Sequence, residues 1–168
     1  NTGAITGTTT GTLSATSYTV TATNSVGSSS TTTLSIGISA LPTISFAQAS
    51  YIYTTGDVVS LSPTLSNATS VAISPSLGQG LSLNTTTGVI SASSGVTGTL
   101  NATTYTLTAT NAAGATATTT VSLRIVAPPT INYSSSHYVY STGDVVSLVP
   151  TISSVSSVSI NSAINHGL

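Results

Sequence analysis

The chain has 168 residues, of which 2% are charged, with one Lys or Arg, two Asp or Glu, two His and no Cys. A single cation cannot form the basic face that nucleic acids require, and no apolar run approaches the about 20 residues of a membrane-spanning helix. We therefore expect neither nucleic-acid binding nor membrane insertion, and the abundant Ser, Thr and β-branched apolar residues favour β-structure with many turns.

The first predicted element is a β-hairpin between Tyr18 and Ile38. Apolar and polar residues alternate on both sides of a turn at residues 24–27, whose residue types favour tight turns. A period of two places the apolar side chains on one face of each strand, so this hairpin should bury one face.

Short strands follow in the middle of the chain. We predict them near residues 43–46, 51–53, 58–61, 70–73, 81–83 and 89–92. Gly and Pro residues lie between these segments, and no stretch has the apolar spacing of an amphipathic helix.

The clearest local pattern is a second hairpin between Thr104 and Val126, with turn residues at 111–114. The apolar residues that alternate with polar ones are Tyr105, Leu107 and Ala109 in the first strand and Val121, Leu123 and Ile125 in the second. Both rows should face the core.

The sequence repeats with a period of 87 residues. The matching segments are 18–24 with 105–111, 42–44 with 129–131, and 55–61 with 142–148, while residues 1–6 align with 86–91. A fixed period of this size indicates tandem copies of one structural unit. We therefore divide the chain into residues 1–41, the C-terminal half of a repeat, residues 42–127, a complete repeat, and residues 128–168, the N-terminal half of the next.

The complete repeat resembles a known family. Residues 80–90, together with residues 105–114, are similar to the "GLSLN…TGVI…YTVTATNxxG" signature of Ig-like, cadherin-like tandem repeats of large prokaryotic surface proteins. The resemblance implies an all-β fold of tandem Ig-like β-sandwich repeats, here one complete domain flanked by two complementary half-domains, and an extracellular or cell-surface location. Calcium-dependent relatives need clustered acidic residues at domain junctions, whereas residues 40–42 and 127–129 contain none.

Half a β-sandwich leaves an apolar face and open strand edges in water. We expect residues 128–168 of one copy to pack with residues 1–41 of the next, because together they make one unit that lacks only about four residues between Leu168 and Asn1, and such a contact is head-to-tail. It is either a covalent continuation within a longer chain or a non-covalent joint between subunits. An arbitrary boundary of the chain is the remaining alternative.

No catalytic, cofactor or metal site is expected. Asp57 and Asp144 are copies of each other, and we expect each side chain to bond to the backbone of its Thr-Gly-Asp turn. His137 is predicted to lie on the surface of a strand, and His166 takes the position of Gln79 in the complete repeat. Residues 42–127 contain no His to activate a Ser or Thr, so we expect no enzymatic activity.

Four residues begin Asn-X-Ser/Thr sequons, and these candidate N-glycosylation sites are Asn67, Asn84, Asn101 and Asn132. A chain this rich in Ser and Thr also meets the pattern by chance. Covalent glycans would help to keep a surface with few charges soluble.

Two Tyr pairs also recur, Tyr51 with Tyr53 and Tyr138 with Tyr140. Alternation places both members of a pair on one strand face. We interpret them as core or interdomain packing, and the alternative is an exposed platform for sugars.

The favoured function is a structural repeat subunit of an extracellular filament, sheath or stalk, assembled head-to-tail by completion of β-sandwiches between copies. Its partners are other copies of the chain and, where attached, covalent glycans. The alternative is a spacer or a carbohydrate-binding, adhesive module of a large secreted adhesin or enzyme.

Overall fold

The computed structural model of the chain describes residues 2–161, which contain thirteen β-strands and no helix. The strands are β1 (Leu13–Thr23), β2 (Ser29–Ile38), β3 (Thr43–Ser45), β4 (Ser50–Thr54), β5 (Val59–Leu61), β6 (Thr64–Ser66), β7 (Ser70–Ser74), β8 (Ser82–Leu83), β9 (Ile90–Ala92), β10 (Leu100–Thr110), β11 (Thr116–Val126), β12 (Thr130–Asn132) and β13 (Thr151–Ser153). The all-β prediction is confirmed for these residues. His166 and the other residues of 162–168 lie outside them, as does Asn1.

Residues 42–127 contain β3 to β11, which form three sheets. The largest has the order β4-β11-β10-β7, in which β4 runs parallel to β11 and the other neighbours are antiparallel. β3 pairs with β6, and β9 lies between β5 and β8.

One hydrophobic core joins the three sheets. Its buried side chains are Ile44, Val59, Leu61, Val71, Leu81, Ile90, Ala92, Val96, Tyr105, Leu107, Ala109, Val121, Leu123 and Ile125. Every buried hydrophobic side chain of residues 2–161 belongs to this set. The segment 42–127 is therefore a β-sandwich around a single core.

The alternating pattern places β10 and β11 at the centre of this core. Tyr105, Leu107 and Ala109 are buried, whereas the Thr residues between them are only half-buried on the opposite face. The same holds for the apolar row of β11. The prediction of a buried face is thus confirmed for both strands, although β10 begins earlier than expected, at Leu100, before a bulge that ends at Thr103.

The six short predicted strands correspond to β3, β4, β5, β7, β8 and β9. The sequence pattern does not predict β6, because its three residues, with the single apolar side chain Leu65, are too few to establish a period. The unit therefore has nine strands, one more than the six short strands and the two hairpin strands predicted.

Two separate two-stranded sheets lie outside residues 42–127. β1 pairs with β2, which confirms the first predicted hairpin, and β12 pairs with β13. The prediction that the first hairpin buries one face is wrong for the single chain, because no other strand covers it in residues 2–161. In residues 2–161 neither sheet is hydrogen-bonded to the other or to the sheets of the complete unit. The division of the chain at residues 41 and 127 stays a prediction.

Candidate assembly surfaces of the terminal segments

The two Asp residues have the same structural role. The backbone N–H of Thr54 donates to Asp57 Oδ2 at 2.8 Å, and the N–H of Ser141 donates to Asp144 Oδ2 at 2.7 Å. Both carboxylates therefore close turns, as the sequence indicated, and the turns also share a left-handed glycine, Gly56 or Gly143.

His137 is exposed but belongs to no strand, so its predicted strand placement is wrong. Its backbone N–H donates to Ser135 Oγ at 3.1 Å, and its carbonyl accepts a bond from the same hydroxyl at 2.9 Å. Within residues 2–161 no group of three or more His, Cys, Asp or Glu side chains is close enough to hold a metal ion.

The four sequon residues, Asn67, Asn84, Asn101 and Asn132, are all exposed. Asn84 Oδ1 accepts bonds from the N–H groups of Thr86 and Thr87, each at 3.0 Å, and so holds the turn before β9. Exposure makes each site accessible to a glycan, and glycosylation itself stays a prediction.

The residue 87 positions away is called the counterpart below, and the two hairpins have the same register between counterparts. Tyr18 pairs with Leu34 as Tyr105 pairs with Val121, and a bulge precedes Thr16 as one precedes Thr103. The pair β12–β13 likewise repeats the register of β3–β6. These two ladders thus have the same pairing in the terminal segments as in the complete unit.

Burial separates the terminal segments from the complete unit. Tyr18 is 42% exposed where Tyr105 is 2%, and Leu34 is 40% exposed where Val121 is 0%. Val158 is 55% exposed where its counterpart Val71 is 3%. The same apolar faces that form the core in residues 42–127 therefore face solvent in residues 2–41 and 128–161. We call these two faces the N-terminal and the C-terminal apolar face.

Some apolar positions are exposed in both settings. Ile52 and Val58 are exposed on the complete unit, and their counterparts Val139 and Val145 are exposed as well. These positions point away from the core by the pattern of the strand, so they do not belong to the apolar faces.

Three counterparts of strands are not strands. Residues 137–141, 146–148 and 157–161 correspond to β4, β5 and β7, yet none of them forms a ladder. Residues 5–7, which align with β9, do not form one either. In the complete unit each of these strands pairs with a partner from the other half of the unit.

Open grooves lie beside the first hairpin. One of about 500 Å³ is lined by residues 5–13 together with Ile38. Another of about 280 Å³ is lined by Gly3 and by residues 20–23 of β1. In the complete unit the aligned Ile90 and Ile125 are buried, so side chains of other strands fill the corresponding space.

The Tyr pairs differ in the same way. Tyr51 and Tyr53 pack against the core with Ile52 pointing outward, which confirms that both share one face and act in packing. Tyr138 and Tyr140 stack with ring centroids 6.5 Å apart and an interplanar angle of 9°, and the Tyr140 ring is exposed. The Tyr138 hydroxyl accepts the N–H of Ser135 at 2.9 Å, as the Tyr51 hydroxyl accepts the N–H of Gln48 at 3.2 Å.

Asn111 fixes the point where the chain enters the complete unit. Its Oδ1 accepts the N–H groups of Ala113 and Ala115, and its Nδ2 donates to the Ala40 carbonyl at 2.7 Å. Sequence reasoning assigned it only to a turn. The available sequence signal was the repetition of this Asn at position 24. In the structure Asn24 Oδ1 likewise accepts the N–H groups of Val26 and Ser28.

No protein-family model and no curated protein matches the sequence. Among solved structures, the chain is similar to extracellular cadherin domains 1–4 of protocadherin gamma B7, with 13% identity, coverage of 84% of this chain and 50% of that chain, and a TM-score of 0.36. It is also similar to the SGBP-B protein of the Bacteroides ovatus mixed-linkage glucan utilization locus, in complex with a mixed-linkage heptasaccharide, with 18% identity, coverage of 79% and 35%, and a TM-score of 0.26.

The chain thus spans half or less of the length of those two structures, and TM-scores this low carry no conclusion about shared fold or function. Residues 2–161 include no helix that is long and apolar enough to cross a membrane. The described residues form an all-β protein with one closed sandwich and two open apolar faces.

Proposed function

We propose that this chain is a structural subunit of an extracellular filament, sheath or stalk, in which the C-terminal apolar face of one copy packs on the N-terminal apolar face of the next. The observation that carries the proposal is the contrast in burial between counterparts, such as Val158 and Val71. Exposed apolar surface of this extent marks an interaction site, and the complete unit has the side-chain arrangement that would cover it.

The contact is head-to-tail because the two faces differ. Such contacts extend into a fibre when they do not close into a ring. The extracellular location is supported by the four exposed sequons and by the near absence of charge, which suits an assembled or glycosylated surface.

Two measurements test this function together. Intact mass under denaturing conditions distinguishes the two forms of the joint, because separate subunits would have a mass near 16.5 kDa plus attached sugars and a covalent continuation a much larger one. Particle images under native conditions should show fibres whose axial period is two units, roughly 60–80 Å from strand lengths. A much larger denatured mass would contradict separate subunits, and monomers at high concentration would contradict assembly.

A carbohydrate-binding or adhesive module is the second candidate function, and the stacked Tyr138 and Tyr140 rings favour it. Sugars pack their apolar faces on exposed aromatic rings. Titration with glycans should then show saturable binding that Tyr138→Ala removes. Assembly and sugar binding compete for the same surface, since Tyr51 is covered by the core in the complete unit.

A further inference from the structure

We infer that the joint between copies consists of three strand ladders with a defined register, in which residues 137–141 add in parallel to β2, residues 157–161 add antiparallel to β1, and residues 146–148 pair with residues 5–7. This inference rests on the proposed function, and it specifies the partner as a second copy of the chain.

The complete unit shows which ladders a half-unit can form by itself. Strands β3 to β7 align with residues 128–168 and strands β9 to β11 with residues 1–41, whereas β8 aligns with neither segment. The ladders β3–β6 and β10–β11 lie within one half, whereas β4–β11, β7–β10 and β5–β9 join the two halves.

The terminal segments follow this division. Both within-half ladders are present, as β12–β13 and β1–β2, and in residues 2–161 none of the three joining ladders is present. The sequences of residues 137–141, 146–148 and 157–161 match segments that are strands in the complete unit. We therefore attribute the absence of these strands to the absence of pairing partners.

The open edges point to strand addition. β10 has neighbours on both sides, β11 and β7, whereas β1 pairs only with β2 among residues 2–161. β11 likewise lies between β10 and β4, whereas in the same described range β2 pairs only with β1. An unpaired edge presents free N–H and C=O groups that an extended segment of another chain can satisfy.

The occupant of these edges is a second copy rather than the same chain. Within one chain β1–β2 and β12–β13 remain separate sheets. The terminal segments cannot add to β10 or β11 of a complete unit instead, because both of these strands already have a neighbour on each side. A second copy supplies segments whose apolar pattern matches that of β4, β5 and β7.

The register follows from the ladders of the complete unit. The expected pairs are Ile36 with Tyr138, Gly37 with Val139, Ile38 with Tyr140, Val20 with Ile160, Thr21 with Ser159, Ala22 with Val158, Thr23 with Ser157, Thr6 with Ser147 and Ile5 with Leu148.

This register covers both apolar faces. Val158 and Ile160 would lie across β1 as Val71 and Ile73 lie across β10. Ile5 and Leu148 would come together as the buried Ile90 and Leu61 do.

Cysteine pairs test the register, and the absence of native Cys gives a clean background. In the variant Thr21→Cys/Ser159→Cys, the two residues are predicted to be directly opposite, at the separation that a disulfide needs. Mild oxidation should give a ladder of multimers on non-reducing gels. A mixture of the two single variants should give one cross-linked dimer and no larger species.

Two matched variants serve as controls. Ala72→Cys/Thr108→Cys places the same geometry inside the complete unit, where the two residues pair, and should give an intramolecular disulfide without multimers. Thr19→Cys/Ser157→Cys lies on the same strand faces but four residues out of register, about 13 Å along the strand, so its cross-linking yield should be on the order of tenfold lower.

The outcomes distinguish a wrong register from a wrong occupant and from a failure of assembly. Equal cross-linking of the out-of-register pair in assembling protein would overturn the register and leave the filament standing. A fast-migrating monomer from Thr21→Cys/Ser159→Cys would overturn the second copy as occupant. Absence of any multimer of the unmodified chain would overturn the proposed function and the inference with it.

Discussion

Asn111 is the buried polar side chain of the complete unit, with 5% of its surface exposed. Its amide satisfies three groups at once, two N–H groups of the hairpin turn and the Ala40 carbonyl. Asn is suited to this place because one side chain both accepts and donates.

The variant Asn111→Asp should lower the free energy of unfolding by about 2–3 kcal/mol, because a carboxylate cannot donate to the Ala40 carbonyl and loses solvation. Urea denaturation measures this change. Asn101→Asp, at an exposed position of the preceding strand β10, should have little effect. Equal effects of both variants would show that the bond to Ala40 has no special role.

Gly95 has a backbone conformation and a neighbour that both exclude a side chain. Its φ is +86°, and a Cβ there would lie 2.5 Å from the Gly56 carbonyl oxygen. Gly98 has a φ of +66°, but a Cβ added there would have no atom within 4 Å. Gly98→Ala should therefore cost only the conformational strain, about 1–2 kcal/mol, and Gly95→Ala clearly more. Urea denaturation compares them, and equal losses would contradict the steric argument.

Two tyrosines give the stability a dependence on alkaline pH. Burial raises the pKa of Tyr105 above its usual value of 10.0. Burial, followed by the proximity of Tyr51 and Asp57, does the same to the pKa of Tyr53. A raised pKa in the folded state means that the neutral phenol is favoured there. The stabilisation is thus complete below pH 10 and is lost as the pH rises through the folded pKa values.

The variant Tyr53→Phe/Tyr105→Phe should flatten this alkaline decrease, as measured by thermal unfolding between pH 8 and 11. Tyr133→Phe, at an exposed position, serves as the control. An unchanged slope in the double variant would show that other groups cause the alkaline loss.

At the scale of strands, a segment forms a strand only where a second segment is available to pair with it. Residues 137–141 match the sequence of β4 closely and still form no strand, because β4 depends on its parallel ladder with β11. β12, with three residues, does form, because its partner β13 lies in the same segment.

Hydrogen exchange should detect this dependence. In isolated monomers the amides of residues 137–141 and 157–161 should exchange rapidly, and assembly should protect them because they gain ladder hydrogen bonds. β10 and β11 should be protected in both states, which makes them the internal reference. Unchanged exchange of residues 157–161 on assembly would contradict strand addition to β1.

Local sequence patterns predict the strands in which apolar and polar residues alternate clearly. They do not predict features that depend on which distant segment a strand pairs with. The rows of Tyr105 and Val121 were placed on the core side by alternation alone. The parallel ladder of β4 with β11 has no local signal, and the three residues of β6 are too few for a period. The local sequence also does not predict the exposure of Tyr18, since Tyr105 lies in a nearly identical sequence and is buried.

At the scale of the whole molecule, the apolar faces set the driving force for assembly. Eleven large side chains are 36–64% exposed whose counterparts or aligned residues lie in or against the core: Ile5, Tyr18, Val20, Leu34, Ile131, Tyr133, Tyr140, Leu148, Ile152, Val158 and Ile160. Covering them is worth on the order of 10 kcal/mol. The loss of translational and rotational freedom on association costs about 4–15 kcal/mol. The free energy gained by burial and this cost are comparable, so the loss of one buried contact should weaken assembly.

A single charge on an apolar face should therefore prevent assembly. Val158→Asp would bury a carboxylate where Val71 is buried, and the affinity between copies should fall on the order of 100-fold, equivalent to about 3 kcal/mol. Sedimentation velocity measures the loss. Val145→Asp is the matched control, since Val145 is 94% exposed and its counterpart Val58 is exposed too. Loss of assembly in both variants would indicate a nonspecific effect of charge.

The two terminal sheets are unlike each other: β1–β2 is a long hairpin, and β12–β13 is a short pair from distant residues. A polymer built through them has chemically different tips, one displaying the hairpin and the other the short pair. Growth at the two tips should then proceed at different speeds, and a free peptide of residues 128–168 should cap only the tip that displays the hairpin. Directionality of this kind would let a cell hold one tip and extend the other.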